Sequence, residues 1–163
     1  MSTATTTEIR VLSIRQPFVD WILMGHKWAE NRSWRSRYRG PLYLHSSRWQ
    51  SGAEEWWEEM MDSPMPESEY QTGAILGVVD FVDVVTARQL GEIEYPRLRA
   101  RLPEEQAATW DWCDQQPDPT WEHVSGPNCF IFQDPKKLIT PIETGGKLNV
   151  WKHEVDESAL ALA

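Results

Sequence analysis

In the stretch "GHKWAENR", Gly25, Lys27, Glu30 and Arg32 combine chemistry and spacing that suit a site. Gly25 permits the left-handed turn that ends a helix, and so delivers Lys27 on a flexible stem to a cleft mouth, within reach of a phosphate or carbonyl oxygen. If a strand follows, Trp28, Glu30 and Arg32 share one face, because side chains alternate with period two. Glu30 then accepts from a base amino group, or acts as a general base where its pKa is raised, and Arg32 offers a phosphate a planar fork. The plain alternative is structural: Lys27 caps the helix end, Glu30 and Arg32 brace one another as an ion pair, and Arg15 joins their network.

A second group sits at the strand end "LHSS". His45, Ser46 and Ser47 gather an imidazole and two hydroxyls, but the sequence places no Asp or Glu to orient His45 as a triad would. Ser13 and Gln16 read as turn-forming, ligand-facing groups. Trp34 lies inside the basic turn "SWRSRYRG", which also carries Arg35, Arg37 and Arg39. Among the rings it is the first expected to stack on a base, with Trp28 second; Trp21 belongs to the core. The two cysteines, Cys113 and Cys129, and the four histidines have no metal-ligand spacing, so no metal and no cofactor are expected.

The charge distribution favours an anionic ligand. Residues 1–50 carry eight Lys/Arg against three acids, a net +5, while the rest carry eight against 22, a net −14. A basic segment on an acidic body focuses anions to one place, which suits a phosphate-bearing ligand better than a coat on long duplex DNA. The start "MSTATTTEIR" lacks an apolar signal region, and no run of about 18 apolar residues occurs, so a cytoplasmic protein with no membrane role is expected.

Around these residues the pattern predicts short strands and helices. "RVLSI" (10–14) reads as a strand, and Pro17 opens a helix with Phe18, Trp21 and Ile22 on one face. "KWAENR" and "GPLYLHSS" read as strands, and "GAEEWWEEMMDS" as an amphipathic helix with its acids outward. "GAILGVVDFVDVV" reads as a buried strand, "NCFIFQDPKKLITPI" as a strand ending at Pro135, and "GGKLNVWKHE" as a turn and strand. Residues 86–125 are acidic and read as a helical insertion. The expectation is one α+β domain over 9–153, with 1–8 and 154–163 as flexible tails. Its centre is a small, partly closed mixed β-barrel of about six strands with helices packed on it.

The segments "LSIRQPFVDWILMGHKWAENRSW", "RGPLYLHSS", "GAILGVVDFVDVV" and "CFIFQDPKKLITPIETGGKLNVWK" resemble the activating signal cointegrator homology (ASCH) domain of the PUA-like superfamily. G-x-K-x-x-E-x-R is their most specific element. The resemblance implies a barrel whose cleft holds RNA, DNA or a nucleotide, with a modified or flipped-out base. The residues expected to contact that ligand are Ser13, Arg15, Gln16, Lys27, Trp28, Glu30, Arg32, Trp34, Arg39 and Ser46.

Three function classes follow. The first is binding of RNA, single-stranded nucleic acid or a modified nucleotide. The second is a hydrolase, in which Lys27, Glu30 and His45 are the catalytic candidates. The resemblance implies a ribonuclease or, less readily, an amidohydrolase acting on a modified nucleoside. The amidohydrolases have a threonine where Glu30 stands and a later glutamate for which Asp80 or Asp83 is the nearest equivalent. The third is a module that meets a protein partner through its acidic helices.

Overall fold

Alternation in the N-terminal segment extends over nine residues, so β1 (Thr6–Ile14) is longer than the expected 10–14. Leu12 and Ile14 enter one apolar cluster, whereas Ile9 and Val11 enter another on the opposite face. The computed structural model describes residues 5–66, 70–86 and 127–163, with Glu104, Ala108, Trp112 and Gln115 as single positions. The expected insertion otherwise lies outside the described residues.

Helix α1 (Phe18–Leu23) buries Val19, Ile22 and Leu23 against the first cluster, while Phe18 and Trp21 are only half-buried. Gly25, at φ +83°, turns the chain sharply after it, and the amides of His26 and Lys27 both donate to the Trp21 carbonyl. Next come β2 (Ala29–Arg32), β3 (Gly40–Ser46) and α2 (Ala53–Met61). Helix α2 buries Trp57 and turns Glu54, Glu55, Glu58 and Glu59 to solvent.

The remaining strands are β4 (Ala74–Val85), β5 (Asn128–Glu143) and β6 (Val150–Asp156). They complete a mixed six-stranded sheet in the order β2-β5-β4-β3-β1-β6. β1 and β3 are parallel and the other pairs antiparallel. The α+β class therefore holds, but the sheet is open. Its ends, the four-residue β2 and β6, share no ladder among the described residues, so the expected barrel is not closed by strand pairing. No helix among the described residues is long and apolar enough to cross a membrane.

Pro135 does not end β5. Asp134, at φ +51°, and Pro135 fall where Val78 pairs with Lys136 and Asp80 with Gln133, leaving one extra residue on β5. At this bulge a missing N–H breaks no ladder bond. The ends expected as tails also pair: Thr6 and Glu8 face Asp156 and Glu154, Glu157–Leu160 form a 3-10 turn, and Leu162 bridges Leu138.

Candidate functional site

Parallel pairing of β1 with β3 aligns Ser13 with His45, and the chain leaving β3 continues the contact as the Ser47 amide donates to the Ile14 carbonyl at 2.9 Å. That register brings the end of β1, residues 47–52 and the far edge strand β2 around one cleft. It has two lobes of about 490 and 700 Å³. Ser13, Arg32, Ser47, Arg48, Trp49 and Gln50 line both.

The first lobe is walled by Phe18 and Trp56, whose rings meet edge-on at 5.9 Å. Arg15 lays its guanidinium over Trp56, 4.5 Å from the ring centroid. Glu30 also lines this lobe; its Oε1 lies 3.9 Å from Arg32 Nε, and its buried Oε2 has no hydrogen-bond partner among the described residues. Arg32 Nη2 donates to the Ser13 carbonyl at 2.7 Å. The Glu30–Arg32 brace is therefore present and long, and both residues face the cleft.

The second lobe adds Trp34, His45 and the segment 144–149. Trp34 stands edge-on to Phe130. Nε2 of His45 meets the Thr144 carbonyl at 2.8 Å and Nδ1 meets Ser13 Oγ at 2.9 Å. A carbonyl only accepts, so in the neutral ring Nε2 carries the proton and Nδ1 accepts from the Ser13 hydroxyl. Trp151 Nε1–H donates to the same Oγ at 3.3 Å. Burial holds the His45 pKa below the usual imidazole value against the raising effect of the Thr144 bond, with His153 and Arg48 adding to the depression.

Several expected site residues lie elsewhere. Lys27 is not at the cleft mouth: it retains 4% of its exposure and donates to the Ala29 carbonyl beneath β2, with its ammonium 5.5 Å from the Phe18 centroid. The two amides folded onto Trp21 turn it inward. Desolvation lowers its pKa, opposed by Glu30 and Cys129. With Trp28, buried edge-on to Trp112, Lys27 lines a separate pocket of about 150 Å³. Lys27 and His45, which the hydrolytic expectation pairs, therefore do not share a pocket.

Gln16 is fully buried and lines neither lobe of the cleft. It bonds Asp20 through both amide atoms and donates to the Gln71 carbonyl. Ser46 is equally buried and donates to the Ala74 carbonyl. Arg39 lies outside the cleft, 3.8 Å from buried Asp83 and over the Phe81 ring; with Arg35, Ser36 and Arg37 it lines a different groove. Asp83 accepts from the Val84 amide, and Asp80 is exposed on β4. Among the described residues no cluster of His, Cys, Asp or Glu could hold a metal ion.

Arg48, Trp49, Gln50 and Trp56 are the cleft residues that sequence reasoning does not single out. The signal for Arg48, Trp49 and Gln50 is the alternation of cation, ring and amide in "SSRWQSG", directly after a strand, while Trp56 comes from helix α2.

The ASCH domain family profile matches residues 12–118. Human (Homo sapiens) activating signal cointegrator 1 is 26% identical over 149 residues, covering 86% of this chain and 22% of that protein. The mouse (Mus musculus) protein of the same name is 24% identical over the same span. The chain thus spans about a fifth of the length of these relatives, 22% in each case. Among solved structures, a mutant of ZmASCH from Zymomonas mobilis superposes with a TM-score of 0.46 and 14% identity, over 92% of this chain and 91% of that one.

Proposed function

The chain belongs to the ASCH domain family, and from that premise we propose that it binds single-stranded RNA through the two-lobed cleft centred on Arg32. The observation that carries this reading is the interleaving of cations and rings on one concave surface. Arg15, Arg32 and Arg48 line it beside Trp49, Trp56 and Trp34. Guanidinium groups contact the phosphate backbone, and ring faces stack unpaired bases at roughly 1–3 kcal/mol each. Paired bases within an A-form helix expose no such faces, so a single strand fits this chemistry better than a duplex. The net −14 of residues 51–163 disfavours a polyanion on that part of the chain, while the groove of Arg35, Arg37 and Arg39 is a second basic surface.

Fluorescence anisotropy with labelled RNA and DNA oligomers, single- and double-stranded, tests the reading over a range of salt. We expect saturable binding strongest for single-stranded RNA, with log K falling linearly with log salt. Replacing Arg15 and Arg48 by Gln should shallow that slope by roughly 1.4 for two lost contacts on a single strand. Binding that is absent, or that keeps its slope in this variant, removes the cleft from consideration.

A further inference from the structure

The Ser13–His45 pair is more than a brace for the sheet: we propose that it is a nucleophilic dyad that hydrolyses carboxylic esters bearing an anionic group. The three parts that activate a serine are in place. Ser13 Oγ lies 2.9 Å from His45 Nδ1, and the opposite ring nitrogen is held at 2.8 Å by the Thr144 carbonyl, which does the orienting work of a carboxylate. Parallel pairing of Ser13 with His45 fixes the two side by side on rigid strands. Ser13 lines both lobes of the cleft.

Arg32, Arg48 and Lys147 line the same lobe and supply positive charge for an anionic substrate and for the oxyanion. At Gly146 a Cβ would stand 2.7 Å from Ser13 Oγ and 2.9 Å from His45 Cε1, so glycine lets this segment pass over the dyad without filling it. Burial keeps the imidazole neutral at neutral pH, the state a base needs.

In the first step Ser13 Oγ bonds to the ester carbonyl carbon and its proton passes to His45 Nδ1. The alkoxide leaves with that proton, giving acyl-Ser13 and an alcohol. Water then adds to the acyl-serine, gives one proton to Nδ1, and Ser13 leaves with it. The sum is ester plus water to acid plus alcohol. The activity does not depend on nucleic-acid binding, and failure of the oligonucleotide titration leaves it standing.

The test is labelling by an alkyl fluorophosphonate, in which Ser13 Oγ bonds to phosphorus and fluoride leaves, followed by intact mass and peptide mapping. The expected result is one adduct per chain, on Ser13 and absent from Ser13→Ala. The rate should rise with pH to a plateau with its midpoint below the usual imidazole value. His45→Gln, checked for folding by circular dichroism, should label roughly a hundredfold more slowly. No adduct on the folded protein, an adduct elsewhere, or an unchanged rate in folded His45→Gln overturns the proposal. Should His45→Gln not fold, a pH profile of the parent that stays flat from neutral pH down to the acid limit of folding overturns it equally.

Discussion

Arg32 donates to the Ser13 carbonyl at 2.7 Å although β2 and β1 are separated in the sheet by β5, β4 and β3. Four steps between strands span roughly 19 Å across a flat sheet, far beyond the reach of an arginine side chain. The sheet therefore curls strongly, and a side chain bridges a gap that no backbone ladder closes. Arg32→Gln should cost about 1–2 kcal/mol in denaturant unfolding, because the bond is lost and buried Glu30 loses one of its two neighbouring basic groups. It should also weaken RNA binding roughly tenfold. Unchanged stability would mean that the bridge contributes nothing to holding the cleft.

The basic turn divides into two kinds of arginine. Arg39 pairs with buried Asp83, and Arg35 donates to Asn128 and to the Val84 carbonyl, whereas Arg37 is exposed. Arg39→Gln should destabilise the fold by about 1–3 kcal/mol by removing a cation from beside the buried Asp83 carboxylate. Arg37→Gln should stay within about 0.5 kcal/mol of the parent. Equal effects in urea titrations would show that Asp83 does not need Arg39.

Much of this fold was legible because its strands alternate. "GPLYLHSS" predicts β3 to within a residue, and "GAILGVVDFVDVV" predicts β4. Pro135 misled because a proline ordinarily ends a ladder, and the bulge that accommodates it depends on the left-handed Asp134, which no periodicity signals. In the site, Arg32 was expected from strand alternation after Gly25 and Trp34 from its place in the basic turn, and both line the cleft. Ser13 and His45 lie 32 positions apart and meet only through the parallel register of β1 with β3, which a sequence does not display. Arg48 and Trp49 join the cleft by the same pairing. Lys27 went the other way: the turn that Gly25 allows was foreseen, but not that it folds two amides onto Trp21 and sends the side chain inward.

Burial of Lys27 makes stability depend on alkaline pH. Its folded pKa lies below the usual lysine value, chiefly through desolvation. Between the two values the unfolded chain holds a proton that the folded chain lacks, so stability rises with pH across that window. Below the folded pKa the whole cost of the buried charge is present. Lys27→Met keeps the apolar stem and removes the titration, so the rise should disappear. Urea midpoints from about pH 7 to 10 for both proteins check this. A parallel pair of curves would place the Lys27 ammonium in water.

The two adjacent glycines of the 144–149 segment give an internally controlled test of how that segment meets the sheet. At Gly145 an added Cβ has nothing within 4 Å, and Gly145→Ala should leave stability within about 0.5 kcal/mol of the parent. At Gly146 the same methyl collides with Ser13 Oγ and with His45 Cε1, at 2.7 and 2.9 Å. Neither neighbour can retreat cheaply. Ser13 is held by His45 and Trp151, and the imidazole is fixed at both nitrogens. Gly146→Ala must therefore push the segment off the strands, at a cost of about 1–3 kcal/mol, typical of overpacking. The Thr144 carbonyl moves with the segment, so the His45 proton loses its acceptor and fluorophosphonate labelling of Ser13 should fall with it. The strand pairings do not run through this segment, so the far-ultraviolet spectrum should match that of Gly145→Ala. If both alanine variants match the parent in stability and labelling, the segment does not lie on the dyad.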